Sequence, residues 1–111
     1  MSENKYINQL IEATKETIKQ RQDIGFLDSK IQEVEDKTYL EIKDNASNER
    51  TRDILLREKL RTNIEYNELT KKRIEAKEKL ELSLLNQDVA KKEFSLYKLD
   101  IMQKIGKVVD E

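Results

Sequence analysis

The sequence has no cysteine, no histidine, no proline and no tryptophan, and its two glycines, Gly25 and Gly106, stand alone. Each absence excludes something. Without cysteine there is no disulfide, which suits a reducing compartment. Without cysteine and histidine, Ser-His, Cys-His and zinc-water chemistries have no players, and a Glu-x-x-His di-metal bundle cannot be built. Isolated glycines make no phosphate-binding loop, and no Asp-x-Asp-x-Asp-Gly calcium loop occurs. The longest apolar run is three residues, Ile54-Leu55-Leu56, against the roughly 20 that a membrane span needs. Met1-Ser2-Glu3-Asn4-Lys5 contains no apolar stretch, so no secretory signal is expected. The expected location is cytoplasmic.

What remains is charge and large aliphatic residues. Charged residues make up 41% of the 111 residues and are balanced, 22 basic against 23 acidic. Balance argues against the self-repulsion of a disordered chain. Glu, Lys, Leu and Ile without breakers are the composition of long helices and coiled coils. With 36% apolar residues and no staple, self-association is the expected route to a sufficient core.

The apolar spacing predicts an all-α fold: a long helical hairpin or coiled coil, oligomeric, within a single helical domain. A first arm is expected over 2–42, capped by Ser2, with Ile7, Leu10 or Ile11, Thr14, Ile18, Ile24, Leu27, Ile31 and Val34 on one stripe. The stripe loses phase at Lys19–Asp23, which predicts a stutter or kink before Gly25, or two helices in place of one. A connector is expected over 43–48, where Asp44, Asn45, Ser47 and Asn48 compete with helix and Ser47 or Asn48 can cap the next helix. Lys37–Ile42, with β-branched and aromatic residues, is open to a short strand as in prefoldin subunits.

A second arm is expected over 49–109, with a third short helix as a variant. Its stripe includes Leu56, Leu60, Ile64, Leu69, Ala76, Leu80, Leu84, Ala90, Phe94, Tyr97, Ile101, Ile105 and Val108. It would measure on the order of 90 Å, against roughly 60 Å for the first. The first arm then cannot cover the second's far end, so that end pairs with another subunit or the long helix bends back. Leu80, Leu84, Phe94, Tyr97, Ile101 and Ile105 are the expected oligomer seam. Asn67, Arg73 and Gln87 fall on or beside the stripe, where polar residues cost stability and can set register.

No catalytic site, cofactor or metal is expected. The abundant carboxylates lack a pocket that would shift them, and the chain reads as a binder of macromolecules, itself included. Arg50, Arg57 and Arg61 share a helical face, with Arg52 and Lys59 nearby. Together with Lys71, Lys72, Arg73, Lys77 and Lys79 they offer phosphate contacts. The net charge of −1 and the lone nearby aromatic, Tyr66, weigh toward a solvated face, so nucleic acid is the alternative partner and protein the leading one. A mixed-charge polar face and the lack of tryptophan weigh against a membrane surface.

From Asn48-Glu49-Arg50-Thr51-Arg52, through Tyr66-Asn67-Glu68-Leu69, to the Glu/Lys/Leu helix ending near Phe94 and Tyr97, the second half of the chain resembles short helical coiled-coil proteins of phages and prophages of Gram-positive bacteria. The resemblance implies a phage accessory protein that binds another protein, such as an inhibitor of a host nuclease or CRISPR effector or a modulator of a recombinase. A nucleic-acid-binding recombination or replication factor and a prefoldin-like chaperone are the other readings.

Overall fold

A computed structural model describes residues 2–110, and the side chains of residues 4–106. Helix α1 spans Ser2–Ile42, a 3-10 turn follows at Lys43–Asn45, α2 spans Glu49–Arg61 and α3 spans Ile64–Asp110. No strand occurs among the described residues, so Lys37–Ile42 is the last part of α1. The fold is all-α, as the spacing predicts. The side chains of Ser2 and Val108 lie outside the described residues.

The predicted interruption near Gly25 does not form, because the inward stripe of α1 never loses phase. Leu10, Ala13, Thr17, Gln20, Ile24, Leu27, Ile31, Val34 and Thr38 follow each other at steps of three and four and are half-buried or buried. Such steps keep one helical face turned inward. The inward positions at the supposed slip are Thr17 and Gln20, which are polar, while Ile18 lies off the stripe and is 50% exposed. Hydrophobicity alone places Ile18 on the stripe, whereas Ile7, Leu10, Thr14, Ile24, Leu27, Ile31 and Val34 do face inward.

The predicted second arm is two helices. The chain breaks at Thr62–Asn63, where the Asn63 side chain accepts a hydrogen bond from the Tyr66 backbone N–H at 3.0 Å. Asn67 Nδ2 donates to the Arg61 carbonyl at 3.0 Å, which serves one orphan acceptor at the end of α2. Asparagine is among the best N-caps, so the Asn63 side chain starts a helix where the previous one ends. Asn48 does the same for α2, accepting from Thr51 N–H at 2.8 Å. The break leaves α3 47 residues long against 41 for α1, so the expected length difference shrinks.

Contacts divide the chain into two compact units, Met1–Gln20 with Lys79–Glu111 and Arg21–Glu78. In the second unit the buried side chains come from all three helices: Val34, Thr38 and Ile42 of α1, Leu60 of α2 and Ala76 of α3. Ile42, 2% exposed, is its most enclosed large side chain. Arg73 of α3 forms an ion pair and hydrogen bond with Asp28 of α1. Arg73 is half-buried, so the pair ties the two helices in one register.

Two substitutions test this arrangement. A Cβ at Gly25 would meet nothing within 4 Å. Gly25→Ala should therefore raise stability by about 0.5–1 kcal/mol in urea unfolding at fixed protein concentration. Ile42→Ala should lower it by about 2–5 kcal/mol. A destabilising Gly25→Ala would mean that the helix bends there after all.

Candidate interaction surfaces

In the first unit α1 and α3 run antiparallel, since Tyr6 meets Tyr97 while Thr14 and Thr17 meet Gln87. The two tyrosine rings lie with centroids 4.8 Å apart at 30°. Gln87 Nε2 donates to Thr14 Oγ1 at 3.2 Å. Thr17 Oγ1 lies 3.0 Å from the Ala13 carbonyl and 3.3 Å from Gln87 Oε1, and shares its proton between them. Thr14 Oγ1 donates to the Leu10 carbonyl at 2.8 Å. Thr17, Gln20, Ser83 and Ala90 are buried around this layer. Each buried side chain here is small or polar, which lets the helices approach closely but removes little apolar area from water.

The predicted oligomer-seam residues can now be placed. Leu80, Leu84, Phe94, Tyr97 and Ile101 are half-buried, and Tyr97 is seated against Tyr6 of the same chain. Ile105 is 58% exposed. The inward face of α3 in this unit is thus Leu80, Ser83, Gln87, Ala90, Phe94, Tyr97 and Ile101, again at steps of three and four.

A second series with the same steps escaped the sequence reading. Leu82, Leu85, Val89, Leu96 and Leu99 are all exposed, with Lys92 completing the stripe between Val89 and Leu96. It is offset by two residues from the inward series, which places it on the opposite side of α3. Flanking it are four exposed acids, Glu81, Asp88, Glu93 and Asp100. The signal was present, since one helix carrying two heptad series is bifacial. A search for a single stripe merges them. Beside it, an open groove of about 570 Å³ is lined by Gln9, Glu12 and Ala13 of α1 and by Asn86, Val89 and Ala90 of α3.

On α2, Arg50, Arg57 and Arg61 are exposed on one face with Ile54, and none forms an ion pair among the described residues. Arg52 points elsewhere: it is half-buried, and its Nε has no hydrogen-bond partner among the described residues. The four arginines are therefore three outward charges and one inward one. No group of three or more acidic side chains is gathered as a cation site among the described residues, and none of their helices is long and apolar enough to cross a membrane.

No protein-family model, curated protein or solved structure matches the chain.

The polar layer at Gln87 invites a direct test. Thr14 and Thr17 keep their own-helix carbonyls as acceptors if Gln87 is lost, so Gln87→Leu strands neither hydroxyl. It should raise the unfolding midpoint, since polar seam residues cost stability and supply register. Spin labels at Gln9 and Asp88, in chains diluted with unlabelled protein, should give a broader distance distribution in the variant. One unchanged narrow peak would assign the register to the apolar layers alone.

Proposed function

We propose that this chain is a non-enzymatic, self-associating helical module whose task is to bind another protein. The observation that carries the reading is the exposed leucine stripe of α3. Large contiguous apolar surfaces on a small protein usually mark interaction sites. The buried side chains point the same way: Val34, Ile42 and Leu60 are the large aliphatic ones, whereas Leu82, Leu85, Leu96 and Leu99 are each more than half exposed. The likeness of its second half to phage-encoded helical proteins favours an accessory or inhibitory role against a host defence or nucleic-acid-processing protein.

A tagged pull-down from bacterial lysate, with and without nuclease, tests this. The expected result is a stoichiometric protein partner that survives nuclease. Capture only with intact nucleic acid would transfer the function to α2.

That second reading is favoured by the three outward arginines, which have no acidic partner among the described residues. If it holds, Arg50→Glu/Arg57→Glu/Arg61→Glu abolishes oligonucleotide binding. The wild type would then lose affinity with salt at a log–log slope of roughly −3, about −0.9 per phosphate contact. A salt-insensitive affinity, or one unaffected by the triple reversal, removes this reading.

A further inference from the structure

We propose that a second copy of this chain docks antiparallel on the outer face of α3, along Leu82, Leu85, Val89, Lys92, Leu96 and Leu99. The proposal rests on the protein-binding reading above and names its first partner. The inward face of α3 is occupied by α1, as the Tyr6–Tyr97 and Gln87 contacts show, and the opposite face is open to a second chain. That face is exposed along its whole length, with Leu82 at 62%, Leu85 at 58%, Val89 at 45%, Leu96 at 65% and Leu99 at 54%.

The pattern is self-complementary in one direction only. Steps of three, four, three, four and three read the same from either end. In an antiparallel pair, Leu82 packs against the partner's Leu99, Leu85 against the partner's Leu96, and Val89 against Lys92 of the partner subunit. The interface is then isologous and closes as a twofold dimer. The Lys92 stem covers apolar surface there, and its ammonium reaches the partner's Asp88 at the seam margin. On the other margin Lys79 lies opposite the partner's Asp100 (which in its own chain also pairs with Lys104). Asn86 lies opposite the partner's Glu93 and Asp88 near the partner's Ser95, so no acid faces an acid.

The parallel arrangement fails on the same residues. It stacks Lys92 directly on the partner's Lys92 and sets Asp88 beside the partner's Glu93. Charges flanking a seam decide orientation in this way, because like charges across it repel.

Light scattering and sedimentation equilibrium on the full chain test the proposal. The wild type should be a dimer. Leu85→Asp/Leu96→Asp should be a monomer with unchanged helical circular dichroism, since both side chains are exposed in the single chain. Lys92→Glu and Asp88→Lys should each weaken self-association by at least about tenfold. Mixed together, the two variants should form a heterodimer of near wild-type affinity. One of the two Lys92–Asp88 contacts of the mixed pair sets the introduced carboxylate against the introduced ammonium, and its twofold-related counterpart retains the native pair. A wild-type monomer at high concentration overturns the proposal. So does a dimer indifferent to the two leucine changes, or a mixture that pairs no better than its components. A monomeric wild type that still captures a nuclease-resistant partner would reject this interface alone, whereas loss of both would reject the protein-binding reading as well.

Discussion

The most enclosed positions along α1 and α3 are mostly small and polar side chains, and the character of the molecule follows from that. Thr17, Gln20, Ser83 and Ala90 are buried in one unit, and Thr38 and Ala76 in the other. Small residues allow close approach, and threonine hydroxyls return their protons to carbonyls four residues back, as Thr38 does to Val34 at 2.7 Å. The seam is thus satisfied but contributes modest hydrophobic stabilisation, at about 25 cal/mol per Å² of apolar area. The larger side chains of the inward faces, among them Leu27, Ile31, Leu80, Phe94 and Ile101, are only half-buried, and Leu82, Leu85, Leu96 and Leu99 lie outside it. A chain built this way gains from covering its outer faces, which links its packing to a function in association.

Polar contacts between the helices specify more than they stabilise. Gln87 bridging Thr14 and Thr17, and Arg73 pairing with Asp28, can each form in one register only. A slip by one heptad would leave Gln87 opposite other side chains and separate the ion pair. Exposed ion pairs such as Lys15–Glu12 and Lys30–Glu33 carry no such information. They lie within one turn of one helix and add a few tenths of a kcal/mol at best.

Asparagine performs the punctuation that proline and glycine perform elsewhere. Asn48 and Asn63 each cap a helix. The first stands in a visible Asp/Asn/Ser cluster, so the connector at 43–48 was legible. The second stands nearly alone, beside Thr62, and its only other trace is the five-residue step from Ile64 to Leu69. Ile64 is 75% exposed, so it was never part of the inward stripe.

Composition and spacing were enough to determine an all-helical chain, because this depends on local backbone preferences and on the absence of breakers. They also showed where three arginines share a face, because helical geometry is set by residue number alone. Which of two stripes turns inward was decided only by tertiary structure. On α1 the polar Thr17 and Gln20 displace Ile18, and on α3 the series through Ser83, Gln87 and Ala90 is covered while the more apolar Leu82, Leu85 and Leu96 are left outside. Hydrophobicity ranks residues one at a time. The inward face is chosen by the fit between two helices, where a small side chain in register outweighs a large one out of it.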